Sequence, residues 1–354
     1  MPASLLLGLA ACIEWQRTEL ASKFLNGTDR IVKTYVGSLE PKKKSPSGGW
    51  AFDRLSVVAL KDRESESDRI RVFGQTSNGQ GLSTESAATF LAALFDFNYT
   101  QLRLDHSPQF GDGCVDVYLA SEGDPGGQQL FAEDPEPQRA YVSSTRVNTV
   151  YIYDVDGLTD PLETCRELAH EYGHATLPPV RIQGAPEEWV NGDLGERLYL
   201  DWLTGAVRTG SVPTTLTFGA DAATLRAYCT GRIDRIVNPV VSNGPDRSAM
   251  AKGGKAGFDA YLGLAMFVSR HLPIDVFRRS LVLNPDQSAT GYAKAVLDAV
   301  TERPTVEVRD RGAKSLWLPT GPKGRIEGGT VKARKNGWSL VAVKGKVRIK
   351  NPTP

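Results

Sequence analysis

Five consecutive residues, His170-Glu171-Tyr172-Gly173-His174, hold two of the four histidines in the 354-residue chain, four positions apart with a glutamate directly after the first. On a helix, side chains at i and i+4 project from one face a turn apart, so both imidazoles can reach a single tetrahedral ion. The glutamate then lies about 100° round the helix from His170. There it can take a proton from water that Zn²⁺ acidifies toward a pKa of ~7. The HExxH spacing is that of metal-assisted hydrolysis, with His170 and His174 as ligands and Glu171 as general base. The bland alternative is a chance match on an ordinary core helix.

That chemistry needs a helix, and the flanking residues supply its ends. Asp160 suits an N-cap, Pro161 the first helical position and Glu163 the capping-box position. Pro178-Pro179 stops the helix within a turn of His174. The predicted helix runs from about 161 to 176.

Upstream, Leu55 to Leu60 and Ile70 to Phe73 read as strands joined by a charged segment, after a basic, turn-rich stretch at 41–49 taken as a surface loop or linker. From Ser83 to about Leu104, the spacing of Ala87, Phe90, Leu91, Leu94 and Phe95 predicts a helix with one buried face. Residues 114–119 alternate like a strand, 121–137 read as a loop, and Ala140-Tyr141-Val142 with Thr149 to Tyr153 as a hairpin leading to the capped helix. Apolar helical patterns recur at 257–268, 274–283 and 289–300.

After Pro304 the character changes. Residues 330–335, 338–343 and 346–349 alternate as strands, with an Asn336-Gly337 hairpin turn. Residues 309–354 carry 12 Lys and Arg against Asp310 and Glu327, a local charge of +10 within a chain of net +1, so the remainder is −9. This basic module is expected to dock on the acidic body or to touch an anionic surface such as a cell-envelope polymer. Only Trp338 among the aromatics lies in its basic strands, so nucleic-acid binding is not expected.

With 40% hydrophobic residues the chain can bury a large core. The domain plan is an N-terminal segment at 1–40, a catalytic domain at 50–303 and the basic module at 305–354. Residues 3–13 form an apolar run ending Leu9-Ala10-Ala11-Cys12, which fits either a lipoprotein cleavage box with a lipidated Cys12 or a buried helix. The first would tether the chain to a membrane from outside; otherwise a cytoplasmic location is expected. Cys12, Cys114, Cys165 and Cys229 show no CxxC spacing, which argues against a cysteine zinc site.

The order helix, strand, loop, strand pair, HExxH helix and tryptophan-bearing helix, over roughly residues 70–300, resembles the gluzincin branch of zinc metallopeptidases, particularly the peptidase MA-like group. The resemblance implies an α+β zincin-like catalytic domain, a Zn²⁺ cofactor and a peptide or protein substrate. It also implies that the 140–153 hairpin lines a substrate cleft by pairing with extended peptide. In such enzymes a second helix carries a glutamate as third ligand. Aligned on Trp189, that position here is Gly192, which has no side chain to offer. The resemblance then points to Asp193, separated from His174 by 18 intervening residues, as third metal ligand and to Glu196 as the acid that orients a ligand histidine. The reverse assignment of those two acids is the alternative. Glu187 and Glu188 are expected to cap the first turn of the second helix.

Hydrolysis also needs a donor to the developing oxyanion. Tyr261, ahead of an apolar run on the later helix, fits that role by resemblance, its alternative being a core tyrosine. His106 and His271 lie in places that do not favour catalysis; His271, at a helix end before Pro273, reads as a dipole cap. The function expected is zinc-dependent peptide-bond hydrolysis. The alternatives are an inactive binding protein of the same fold, given Gly192, or an envelope adaptor acting through the basic module.

Overall fold

The computed structural model describes residues 18–24, 30–76, 81–104, 106, 113–133 and 146–352. They form an α+β protein with a mixed sheet, a set of helices and a small C-terminal antiparallel sheet. Two compact units comprise residues 1–93 with 106–159, and 94–105 with 160–354. The apolar N-terminal run and Cys12 lie outside the described residues.

In the first unit β1 (Thr18–Phe24), β2 (Ile31–Lys44), β3 (Ala51–Lys61) and β4 (Glu66–Gly74) form an antiparallel meander. β5 (Val115–Leu119), β6 (Gly126–Glu133) and β7 (Arg146–Tyr153) complete the sheet. β5 runs parallel to both β4 and β7, and β6 lies antiparallel to β7 on the sheet's edge. Phe73, Tyr118 and Tyr151 stand in register across β4, β5 and β7 and stack at 4.8 and 5.1 Å. All five residues of β5 are buried, since a strand flanked in parallel on both sides faces water on neither. Its Asp116 accepts two hydrogen bonds from the Arg71 guanidinium, at 2.8 and 2.6 Å.

Three expectations change here. The loop at 121–137 is in part β6, because the Gly126-Gly127 pair leads into a run that pairs along its whole length with β7. The hairpin partner of β7 is therefore β6; Ala140-Tyr141-Val142 lies outside the described residues. The linker at 41–49 is shorter than expected, because β2 continues through Lys44 past a register irregularity between Ser38 and Lys43 that accommodates Pro41. α1 (Thr84–Phe97) buries the predicted face and ends in a π-helical turn, Asn98–Leu102.

The second unit is built on α2 (Pro161–Thr176), α3 (Asn191–Arg208), α4 (Ala222–Tyr228), α5 (Arg235–Asn243), α6 (Arg247–Lys252), α7 (Gly254–His271), α8 (Ile274–Val282) and α9 (Ala289–Thr301). It closes with β8 (Thr305–Glu307), β9 (Ser315–Pro319), β10 (Arg325–Lys335) and β11 (Trp338–Lys350), with β11 paired to the other three. Asn336 and Gly337, at φ of 51° and 80°, make the two-residue turn between β10 and β11. β11 runs unbroken through the gap expected between 343 and 346, and a bulge there absorbs the extra residues.

This sheet rests on the helices through apolar and backbone contacts. Leu316, Leu318, Trp338, Val341, Val347 and Ile349 are buried. The Trp317 indole donates to the Ser242 carbonyl at 3.0 Å, and the Asn351 amide donates to the Val300 and Arg303 carbonyls, each at 2.8 Å. Lys346 and Arg348 pair with Glu307, and Lys350 with Glu327, all within the same sheet.

Candidate metal centre

α2 begins and ends where its caps require. The Asp160 carboxylate accepts from the Glu163 N–H at 2.9 Å, Pro161 opens the helix, and the Leu177 N–H reaches the Gly173 carbonyl at 2.9 Å before Pro178 intervenes. The Glu163 carboxylate pairs with Arg166, an i, i+3 contact along the helix.

His170 and His174 stand one turn apart on α2 with their Nε2 atoms 3.1 Å from each other. His174 Nδ1 lies 3.2 Å from Asn191 Oδ1, and His170 Nδ1 lies 3.5 Å from Glu196 Oε2. The Asn191 amide has one orientation open to it. Its Nδ2 donates to the carbonyls of Gly173, His174 and Leu177 at 3.4, 3.0 and 3.3 Å, at the end of α2. Oδ1 therefore faces His174 as an acceptor, the ring carries its proton on Nδ1, and Nε2 presents a lone pair. The Glu196 carboxylate likewise faces Nδ1 of His170 as an acceptor.

Glu187 meets these lone pairs, with Oε1 2.6 Å from His174 Nε2 and Oε2 3.2 Å from His170 Nε2. With both Nε2 atoms this close to a carboxylate, a proton or a metal ion is held among them. Two imidazole nitrogens and a carboxylate, with both rings oriented from behind, match the donor set of a Zn²⁺ site. Burial alone would depress the His170 imidazole, but the carboxylates of Glu187 and Glu196 outweigh it and carry it up to about 11. The same field that attracts a proton there attracts a metal ion.

Glycines let α3 come this near. A Cβ on Gly195 would sit 2.5 Å from the Gly173 Cα, and one on Gly173 would sit 2.7 Å from the Asn191 carbonyl oxygen. At Gly192 the added atom would lie 2.2 Å from His174 Nε2 and 2.7 Å from His170 Nε2. At the position where the resemblance expects a glutamate, the α3 backbone itself comes up against the imidazoles.

The acids divide between the two sides of His170. Glu187 and Glu188 are not in the first turn of a helix, as the capping expectation has it. α3 begins only at Asn191, because residues 180–190 form a turn whose backbone groups are already used. Val190 N–H donates to the Val180 carbonyl at 3.0 Å and Ile182 N–H to that of Glu188 at 2.8 Å, while Arg181 pairs with the Glu188 carboxylate at 2.8 Å. Trp189 precedes the helix and is exposed. Asp193, in the first turn of α3, forms an ion pair with Arg197 one turn on. Glu196 accepts from Arg166 Nε at 2.8 Å and from the Tyr228 hydroxyl at 2.7 Å. Burial opposes its ionisation, yet His170 and Arg166 hold it down to about 2. Asp193 and Glu196 gather with His170; Glu187 gathers with His170 and His174 together.

Glu171 points into the protein. It is buried, its Oε2 has no hydrogen-bond partner among the described residues, and burial pushes its carboxyl up to about 7. A carboxyl titrating there can both accept and return a proton near neutrality. Tyr261, on α7, is fully buried with its ring edge-on to Tyr292 at 5.2 Å and its hydroxyl without a partner among the described residues.

The other histidines belong to the scaffold. His106 is buried with Nδ1 2.8 Å from the Arg69 carbonyl, and burial pushes it down to about 4. His271 does not cap a helix dipole as a cation. Burial lowers its pKa, and the ring stacks on Phe267 at 4.7 Å with Nδ1 2.8 Å from the Arg309 carbonyl. Cys114, Cys165 and Cys229 are buried.

Asn191, Glu187 and the Gly173/Gly195 contact are what sequence reasoning missed. The visible signal for the last was glycines within both segments, Gly173 in one and Gly192 and Gly195 in the other. Comparison of the sequence with protein-family models and with curated proteins gives no match, so the side chains of this centre carry the functional argument.

Proposed function

We propose that the protein is a zinc-dependent hydrolase of peptide bonds, with a zincin-like catalytic domain. The observation that carries this reading is the convergence of two imidazole nitrogens and a carboxylate, with Asn191 and Glu196 facing the rings from behind at Nδ1. His170 and His174 would hold the ion through Nε2, with a carboxylate from the Glu187 to Glu196 stretch completing the set. A divalent ion in such a cage supplies Lewis acidity, polarising a carbonyl and acidifying water.

The chain's own residues do the rest. Glu171 Oε2, without another partner among the described residues, accepts a proton from attacking water and delivers it to the departing amine. Its raised pKa keeps it close to the midpoint where it can serve in both directions. Asn191 and Glu196 keep the imidazole protons on Nδ1, so neither ring competes for the proton in transit. A peptide as substrate follows from the HExxH resemblance.

The test is metal content together with cleavage. The purified chain should hold one zinc per molecule and cleave an unstructured protein substrate in a chelator-sensitive way. Glu171→Gln should keep the zinc and lose the cleavage. A chain that never retains metal above trace level would remove the reading. Tight zinc with no hydrolysis of any peptide library would leave a metal-binding protein in its place.

A further inference from the structure

We propose that Glu187, on the turn ahead of α3, is the third ligand of the metal held by His170 and His174, in place of any carboxylate on α3 itself. This rests on the metal-centre reading, and it replaces the ligand that the resemblance implies with one from a different segment.

Three observations carry it. First, an ion shared by both histidines must lie within reach of both Nε2 atoms, which are 3.1 Å apart, and the Glu187 carboxylate spans that pair, one oxygen toward each ring. Glu196 lies against the Nδ1 of His170, across the ring from the shared position, so it orients that ligand and cannot join it. Second, the rival acids are already committed to cations: Asp193 to Arg197, Glu196 to Arg166. A carboxylate shared with a guanidinium offers a metal less charge. Third, the α3 backbone at Gly192 stands so close to both Nε2 atoms that a side chain there would occupy the ion's own space. A ligand must then arrive from elsewhere, and the turn that presents Glu187 is pinned on both sides, by the Ile182 to Glu188 and Val180 to Val190 hydrogen bonds. The missing side chain at 192 and the ligand at 187 are two halves of one arrangement.

The full-length chain, stripped with chelator and titrated with Zn²⁺ against a competing chromophoric chelator, tests this. Wild type should bind one equivalent. Glu187→Gln should lose affinity by more than about a hundredfold, beyond the 10- to 100-fold loss usual for a residue that only orients a ligand. Asp193→Asn should stay within about tenfold, and Glu187→His, which supplies another ligand, should recover part of the loss. Glu187→Gln combined with Gly192→Glu should not recover it. Affinity of Glu187→Gln within threefold of wild type overturns the proposal, whichever other variant fails. Recovery in the Gly192→Glu combination also overturns it. Failure of wild type itself to bind zinc removes the metal-centre reading instead. If Glu187→Gln melts well below wild type, the anomalous difference map of zinc-soaked wild-type crystals decides. A peak about 2.0–2.2 Å from a Glu187 oxygen supports the assignment, and one coordinated by Asp193 or Glu196 overturns it.

Discussion

Both units bury charge, to opposite ends. In the sheet, Arg71 and Asp116 are sealed together, 2% and 0% exposed, and joined by two parallel hydrogen bonds. Between α2 and α3 the charges do not close on themselves. Glu171 Oε2 has no hydrogen-bond partner among the described residues, and the Nε2 atoms of His170 and His174 both face the Glu187 carboxylate. The first arrangement specifies a fold. The second gathers imidazoles and carboxylates in an arrangement that could hold a metal ion.

Breaking the sealed pair should have the largest effect. Arg71→Met leaves Asp116 buried without its guanidinium and should cost about 3–5 kcal/mol in urea unfolding, whereas Arg71→Met with Asp116→Leu should recover most of it. A single variant as stable as wild type would mean that the sheet hydrates this position.

The open arrangement should respond with the opposite sign. The Glu171 carboxyl has an ordinary value of 4.5, and burial carries it to about 7 in the folded state. The unfolded chain therefore gives up this proton first. Stability from the group is intact below about pH 4.5, declines as pH rises toward 7 and is fully lost above. Metal-free Glu171→Gln should thus be more stable than metal-free wild type by about 1–3 kcal/mol at pH 8 and equal to it near pH 4. Equal melting at both pH values would show that Glu171 is solvated.

Asn191→Ala sharpens the comparison at the next level, since it removes the acceptor behind His174 and the cap on α2 together. Zinc affinity should fall about 10- to 100-fold while Asn191→Asp, which keeps an acceptor, falls less; the same loss in both would point to the cap alone. The smallest effect is expected at Tyr261. Its hydroxyl has no partner to lose, so Tyr261→Phe should change stability by less than about 1 kcal/mol. A hundredfold fall in kcat with unchanged zinc affinity would make the phenol an oxyanion donor.

The residues show how far the chain could be read. α2 was legible because its signals are local: Asp160, Pro161 and Pro178 act within a turn of themselves. The Asn336-Gly337 hairpin was legible for the same reason. β6 was not, because Gly126, Gly127, Gln128 and Gln129 read as loop residues until β7 offers them a ladder. The start of α3 was misplaced because the bonds that hold Glu188 and Val190 in a turn come from Ile182 and Val180, several residues back.

For the site the division is sharper. The sequence by itself determined that two imidazoles and a carboxylate share one helix at HExxH spacing, since helical geometry is set by local bonding. Only the tertiary structure decided which further groups meet them. That depends on how near α3 can come, which rests on Gly173 meeting Gly195, and on a turn that carries Glu187 to the imidazoles while Asp193 turns to Arg197. Distances between segments follow from packing, and a linear pattern does not contain them.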